Sequence, residues 1–252
     1  YRISKEFDDI QGNVCISGSK SESNRLLLLR AYTSFFKIFN LSDSDDTKLM
    51  ISAIESDKEE INIGHAGTAM RFLTSYFSSI SEKSKVLTGS ERMRQRPISI
   101  LVDALKDLGC DIEYVQKKGF PPLKINGKNI SSNSVTLPAN VSSQYISSLM
   151  MLGLSLKNGL KIILSSKITS LPYILMTKKI IERIGGIVKI QNRKIFIEPF
   201  KEKVIPEQFV ESDWSSASYF FSLAALSKSV NLTLSKFSKD SLQGDSILVD
   251  IY

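Results

Sequence analysis

One short segment, residues 18–29, has the composition of an anion-binding turn. It runs Gly18-Ser-Lys-Ser-Glu-Ser-Asn-Arg25 and continues into four leucines, so hydroxyl-rich small residues open an apolar helix. The backbone N–H groups of a first helical turn point at an incoming anion, and Lys20 and Arg25 add full charges. A serine N-cap with two solvated cations would look the same. The segment alone therefore leaves a phosphate or carboxylate site and an ordinary helix cap both open.

The same kind of turn recurs along the chain, each time rich in Ser, Thr or Gly and each time followed by an apolar helical pattern. The further copies are His65-Ala-Gly-Thr-Ala-Met-Arg71, Ser142-Ser-Gln144, Ser170-Leu-Pro-Tyr173 and Asp213-Trp-Ser-Ser216. Pro172 suits a first-turn position. Such recurrence is hard to attribute to capping alone, so it favours a shared anion site.

Composition narrows the class of protein. The chain has 252 residues, 42% of them hydrophobic, and a net charge of +7, which permits one or two domains. Its sequence shows neither a bilayer-spanning apolar run nor a signal peptide, and its two cysteines are far apart; we expect a soluble cytoplasmic protein with free thiols. The basic residues are mixed with acids and the single histidine makes a His-rich metal site impossible. We therefore predict small anionic ligands, with no nucleic acid, membrane or metal.

Internal repetition predicts the architecture. Shifting the sequence by 76 positions superimposes residues 86–90 on 162–166, 66–68 on 142–144, and 105–109 on 181–185. Each copy contains a helix, a strand, a second helix ending at Gly109 or Gly185, and two short strands, predicted at 112–115 with 123–125 and at 187–190 with 195–197. An earlier segment, with helices near 22–39 and 69–77, resembles a permuted copy. We predict an α/β fold of repeated βαβαββ units.

The motifs in their order resemble the amino-terminal part of the 5-enolpyruvylshikimate-3-phosphate synthases, members of the enolpyruvyl transferase family. The resemblance runs from Ile16 to Tyr252. It rests on Gly18-Ser-Lys-Ser-x-Ser-Asn-Arg25, Ala66-Gly-Thr-Ala-Met-Arg71, Leu87-Thr-Gly-Ser-Glu-Arg-Met-Arg-Gln-Arg-Pro97, Ser142-Ser-Gln144 and Ser212-Asp-Trp-Ser-Ser-Ala-Ser-Tyr219. It implies an inverse α/β-barrel-like lobe of three such units at 19–210, with 1–18 and 211–252 forming an incomplete part of a similar second lobe.

The resemblance also implies a reaction. The family transfers the enolpyruvyl group of phosphoenolpyruvate to the 5-hydroxyl of shikimate 3-phosphate by addition and elimination, releases phosphate, and uses no cofactor. Lys20 matches a lysine that contacts phosphoenolpyruvate and serves in proton transfer or charge stabilisation. Gly67 matches a close backbone approach to phosphoenolpyruvate, and Arg92 an arginine that clamps it.

The remaining matched positions concern shikimate 3-phosphate. Ser21 and Arg25 match residues that hold it, and Gln144 matches one that touches both substrates. The other matches are Ser142 and Ser143, phosphate-binding hydroxyls, and Ser170 and Tyr173, contacts to the shikimate moiety. We expect a monomer with these two small-molecule substrates as its partners.

Two departures from the family pattern lie beside this site. His65 stands where the family usually has asparagine, and Phe72 stands where proline often follows the arginine. We hypothesise that His65 titrates near the active-site wall; coincident pH profiles of substrate binding in the protein and in His65→Asn would exclude this. The family's other catalytic residues match nothing before Tyr252, so we expect this chain to be inactive alone.

Two alternatives remain open at this point. UDP-N-acetylglucosamine enolpyruvyl transferases share the fold, but they carry a cysteine in the loop before Arg-Pro, and residues 89–95 contain none. We interpret Cys110 as a core residue. The second alternative is a non-catalytic lobe that only binds an anionic metabolite.

Overall fold

The computed structural model describes residues 9–80, 83–138, 140, 142–201 and 203–252. Residues 1–8, part of the predicted second-lobe portion, lie outside the described residues. The helices are α1 Lys20–Tyr32, α2 Asp45–Ile54, α3 Gly67–Ser79, α4 Glu91–Arg94, α5 Ser99–Asp107, α6 Ser143–Ser155, α7 Leu171–Arg183, α8 Trp214–Ala225 and, after a 3-10 turn at Gly244–Ile247, α9 Leu248–Ile251. The strands are β1 Asp9–Cys15, β2 Ile38–Phe39, β3 Glu60–Asn62, β4 Ser84–Thr88, β5 Asp111–Tyr114, β6 Leu123–Asn126, β7 Ser134–Leu137, β8 Leu160–Leu164, β9 Val188–Gln191, β10 Lys194–Ile197, β11 Gln208–Phe209 and β12 Ser229–Ser235.

Two four-stranded sheets confirm the predicted repeat. Their strand orders are β3-β4-β6-β5 and β7-β8-β10-β9, and in each the first pair is parallel and the other two are antiparallel. Gly109 and Gly185 follow the second helix of their units with φ of 95° and 88°. Only glycine adopts this left-handed conformation without a steric cost. The mixed α/β fold and both predicted strand pairs are therefore as the sequence indicated.

Three helices form the inside of the lobe. Helices α1, α3 and α6 pack against one another, and Leu26–Leu29 of α1 are at most 1% exposed. Polar side chains early in α1 are buried too, and two of their oxygens find partners: Ser23 Oγ accepts from the Ser42 backbone N–H at 2.9 Å and Asn24 Oδ1 from Thr47 Oγ1 at 2.9 Å. The first turns of these three helices meet at one cavity, which Lys20, Thr68 and Ser143 all line.

The first unit differs from its predicted form. The sequence predicts a helix near 22–39, but α1 ends at Tyr32 and the chain becomes extended before β2. Phe36 is 3% exposed whereas Phe35 and Phe39 are 78% and 45% exposed. This alternation has the period of a strand, which a helix prediction based on apolar content overlooks. Strand β2 pairs in parallel with β11.

The chain crosses twice between this lobe and a second, smaller hydrophobic cluster. At the crossings, Ser19 N–H donates to Glu211 O at 2.8 Å and Asp213 N–H donates to Ser17 O at 3.0 Å. Beyond them, β1 and β12 form a parallel pair. Ile16, Trp214 and Ala217 form the buried part of the second cluster. The two hydrophobic clusters are separate. This agrees with the predicted domain division at residues 19 and 210, which stays a prediction.

Candidate functional site

The first turns of six helices line one polar cavity of about 520 Å³. These are the first turns and caps of α1, α2, α3, α6, α7 and α8. The lining residues are Ser17, Gly18, Lys20, Ser21, Arg25, Ser42, Asp43, Ser44, Thr68, Ser142, Ser143, Gln144, Ser170, Tyr173, Asp213, Ser215 and Ser216. A helix N-terminus carries a partial positive charge, so their convergence favours an anion.

Eight of the ten residues predicted for the site line this cavity: Lys20, Ser21, Arg25, Ser142, Ser143, Gln144, Ser170 and Tyr173. The packing of α1 against α6 and α7 thus brings together residues that are more than a hundred positions apart in the sequence. Lys20 is exposed to the cavity, whereas Arg25 is 2% exposed.

Arg25 is held by the protein around it. Its Nε donates to Thr177 Oγ1 at 2.7 Å, and its Nη1 and Nη2 donate to Ser21 O at 2.8 Å and Ser147 Oγ at 3.2 Å. Burial lowers the pKa of Arg25 to about 10, while Tyr173 and Glu22 act in the opposite direction. The side chain therefore keeps its positive charge at neutral pH, in surroundings that strengthen its attraction for an anion.

The serines and Gln144 are placed by helix caps. Ser142 caps α6 by accepting from the Gln144 backbone N–H at 3.3 Å, and Gln144 Nε2 donates to Thr68 Oγ1 at 3.2 Å. Asp213 caps α8 through the Ser216 N–H at 2.8 Å. Its other oxygen lies 3.4 Å from the Lys20 backbone nitrogen. Asp213 thus joins the first turns of α1 and α8 across the two chain crossings.

Gly67 and Arg92 do not line the cavity. Gly67 is next to it, since Thr68 lines it, but the arginine that lies against Gly67 is Arg96. A Cβ atom built on Gly67 would meet Arg96 Nη1 at 2.3 Å. Arg92 lies on α4 with its side chain exposed, and its assignment stays a prediction. The loop carries arginines at 92, 94 and 96; the family resemblance assigned the clamp to Arg92, whereas the structure brings Arg96 against Gly67.

A buried arginine fixes this loop against α3. Arg71 is 4% exposed, and its Nη1 and Nη2 donate to Gly67 O at 3.1 Å and Pro97 O at 3.2 Å. Tyr145 also donates to Pro97 O, at 2.8 Å. Burial lowers the pKa of Arg71, and Arg96 adds to that effect. The position of Arg96 beside Gly67 is therefore set by a connection that the sequence did not reveal.

His65 and Cys110 also have defined surroundings. His65 Nδ1 lies 2.8 Å from Ser90 Oγ, which links the turn before α3 to the cap of α4. Cys110 is 6% exposed, and burial raises the pKa of its thiol to about 12. It is therefore a core residue, as predicted, and not an ionised nucleophile at neutral pH.

Among the described residues, no three His, Cys, Asp or Glu side chains could together hold a metal ion. No helix in the described ranges could span a membrane.

Several known proteins are similar to this chain in sequence. Residues 53–252 match the family model described as EPSP synthase (3-phosphoshikimate 1-carboxyvinyltransferase). A 3-phosphoshikimate 1-carboxyvinyltransferase of Bacteroides fragilis is 45% identical over 245 residues, 96% of this chain and 59% of the relative. One from Colwellia psychrerythraea is 36% identical over 271 residues, 96% of this chain and 63% of that relative.

Solved structures give the same fold. An EPSP synthase structure from Acinetobacter baumannii superposes with a TM-score of 0.77 at 21% identity, covering 96% of this chain and 58% of that one. The chain spans about 59% of the length of the Bacteroides relative. On the matched family model and these relatives, the chain belongs to the EPSP synthase family.

Proposed function

We propose that this chain provides the shikimate 3-phosphate site of an enzyme that transfers the enolpyruvyl group of phosphoenolpyruvate to the 5-hydroxyl of that substrate. The observation that carries the proposal is the cavity in which eight predicted residues meet at six helix N-termini. Lys20, Arg25 and the serine hydroxyls offer charges and donors to a phosphate and a carboxylate. The family to which the chain belongs supplies the reaction.

The proposed chemistry uses two neighbouring places in the lobe. The substrate's 5-hydroxyl gives up its proton to a general base as its oxygen bonds to C2 of phosphoenolpyruvate, and C3 gains a proton; loss of a C3 proton and of phosphate then restores the double bond. We assign Lys20 to proton transfer or charge stabilisation, because it is exposed to the cavity at the first turn of α1. We assign the Gly67 backbone and Arg96 to phosphoenolpyruvate, because Arg96 lies against Gly67 next to the cavity.

Calorimetric titration with shikimate 3-phosphate tests the proposal. We expect binding by the wild-type chain, about tenfold or more weaker binding by Lys20→Ala because a direct charge is lost, and none of UDP-N-acetylglucosamine. Lys178→Ala, on α7 and outside the cavity lining, is the matched control and should bind normally. Equal binding by wild type and Lys20→Ala, or binding of the sugar nucleotide alone, would contradict the assignment.

Phosphate release is a separate measurement. With both substrates present, release of phosphate would show that this chain suffices for the reaction, whereas binding without release, the result we expect, would show that binding by this chain is not enough for turnover.

We also propose that the protein works in the cytoplasm as a monomer. Support comes from its two free cysteines, of which Cys110 is buried and Cys15 exposed, an arrangement suited to a reducing compartment. Light scattering of the eluting protein, with a mass near 28.2 kDa, would agree with a monomer, and twice that mass would refute it.

A further inference from the structure

Two buried hydroxyls contact Arg25 and belong to residues that do not line the cavity. Thr177 on α7 and Ser147 on α6 are both 0% exposed, and their oxygens are 2.8 Å apart. Thr177 Oγ1 is 2.7 Å from Arg25 Nε, and Ser147 Oγ is 3.2 Å from Arg25 Nη2. Neither residue lines the cavity, so neither can contact a ligand there. Any effect they have on binding acts through Arg25.

The direction of these bonds is determined by the donors. Arg25 Nε–H can only donate, so Thr177 Oγ1 accepts from it. The single Thr177 hydroxyl proton goes either to Ser147 Oγ or to the Tyr173 carbonyl oxygen, 2.7 Å away. In both arrangements Thr177 remains the acceptor for Nε.

The Nε–Thr177 hydrogen bond fixes the rotation of the guanidinium within its own plane. The bonds described for Arg25 use three of the five N–H groups of an arginine. The Phe72 and Tyr173 rings lie 5.5 and 6.0 Å from Arg25 Cζ. Stacking on such rings tolerates rotation within the plane, whereas a hydrogen bond at Nε does not. With Nε tied to Thr177, the two remaining N–H groups are fixed in direction too, on a side chain that lines the cavity.

We propose that Thr177 is a positioning residue: with Ser147, it orients the Arg25 guanidinium so that its free edge binds an anionic group of the substrate. This inference rests on the proposed function for the identity of that substrate. Arg25 itself touches the ligand, whereas Thr177 acts through Arg25. An arginine fixed in advance loses less conformational freedom on binding than a mobile one.

Substitutions at Thr177 separate the hydroxyl from the packing. Thr177→Val keeps the shape and removes the acceptor, whereas Thr177→Ser keeps the acceptor and removes a methyl group. We expect Thr177→Val to bind shikimate 3-phosphate about tenfold more weakly and Thr177→Ser to bind within about threefold of wild type. If Thr177 only filled space, Thr177→Ser would be the weaker binder of the two, because the serine leaves a small cavity.

Thr74 offers a matched control. It is also 0% exposed, and its hydroxyl likewise bonds to the carbonyl oxygen four residues earlier, Met70 O. It lies on α3 outside the cavity lining, so Thr74→Val should leave the affinity unchanged. If Thr177→Val does not fold, Thr177→Ala and Thr177→Ser form a second pair that again differs only in the hydroxyl.

A measurement without ligand separates this inference from the proposed function. In ¹H–¹⁵N spectra the Arg25 Nε–H, assigned by its loss in Arg25→Lys, should exchange slowly with water in wild type and at least about tenfold faster in Thr177→Val. Should wild type not bind shikimate 3-phosphate, the proposed function fails for this chain, and the exchange rates still decide the role of Thr177. Unchanged exchange, or equal binding by the valine and serine variants, would overturn the inference.

Discussion

At the scale of single residues, Gly67 and Arg96 show why spacing alone did not define the whole site. The turn before α3 was found from its sequence, but the arginine that lies against it comes from a loop whose position Arg71 fixes. Three arginines within five residues were equally good candidates by type. Only the packing of that loop on α3 distinguishes them.

Gly67→Ala should weaken anion binding without destabilising the fold. The added methyl group would collide with Arg96 Nη1, which is the end of a flexible side chain and can move away. Gly67 is the first residue of α3 and has no left-handed φ, and at such a position Gly→Ala stabilises by about 0.4–1 kcal/mol through the unfolded chain, so we expect the free energy of unfolding to hold or rise. Affinity for phosphoenolpyruvate, or for inorganic phosphate as a simpler probe, should fall about tenfold.

A double-mutant cycle provides the control for Gly67→Ala. In an Arg96→Ala background the same methyl group has no guanidinium to displace, so Gly67→Ala should have no further effect on affinity. Additive losses would mean that Gly67 acts independently of Arg96.

Cys110 should make stability depend on alkaline pH. Its folded-state pKa of about 12 is above the reference value of 9.0, so the protonated thiol is favoured in the folded protein. That stability is fully present below pH 9 and is lost as the pH rises toward 12. For each pH unit in this range, the free energy of unfolding should fall further in wild type than in Cys110→Ala, by up to about 1.4 kcal/mol. Urea unfolding at several pH values measures it, and Cys15→Ala, at the exposed cysteine, should retain the wild-type slope.

At the scale of elements, α1 was recognised by its capping turn and its leucines, but its environment was not. A run of four leucines with polar neighbours gives no single apolar face. In the structure every face of α1 is covered, and even Glu22 is buried, with Arg183 Nη2 3.3 Å from its carboxylate. Burial raises the pKa of Glu22, opposed by Arg183. The surrounding elements, and not the periodicity of α1, determine this burial.

Leu28→Ala should therefore be strongly destabilising. Leu28 is 0% exposed at the centre of the large core, and a cavity left there is enclosed by packed helices. We expect a loss of about 2–5 kcal/mol in the free energy of unfolding, measured by urea denaturation. Leu226→Ala removes the same atoms from a position that is 86% exposed and should change stability by less than about 0.5 kcal/mol. Similar losses in the two variants would contradict the burial of α1.

At the scale of the whole molecule, the described residues form two hydrophobic cores of very different size. The larger holds the helices and sheets of the first lobe, while the smaller contains Ile16, Trp214 and Ala217 as its buried members. Trp214 Nε1 donates to Glu211 Oε1 at 2.8 Å, and its ring lies 4.5 Å from that of Phe237. The only tryptophan in the chain therefore reports on the smaller core.

Unfolding should show two transitions. Because the smaller core buries less apolar area, we expect Trp214 fluorescence to change at a lower urea concentration than the far-ultraviolet circular dichroism, which follows mainly the first lobe. Glu211→Gln, which weakens the bond to the indole, should move the fluorescence transition lower still and leave the other in place. A single coincident transition by both probes would show that the two cores unfold together.

The sequence by itself determined the local features of this protein. Helix-opening turns, the glycines that end helices and the two repeated units depend on nearby residues or on similarity between segments, and both can be read along the chain. Eight cavity residues were found in this way because each lies in a motif at a helix start. The prediction that the first helix continues to residue 39 was wrong, because it followed apolar content and overlooked the alternation of buried and exposed residues that is typical of a strand.

Only the tertiary structure decided how distant segments combine. The placement of Arg96 beside Gly67, the two hydroxyls that contact Arg25 and the burial of Glu22 each join residues from different elements. Such contacts depend on how helices pack and on which polar groups must find partners once water is excluded. Those requirements arise from the packed core as a whole, and no stretch of sequence expresses them by itself.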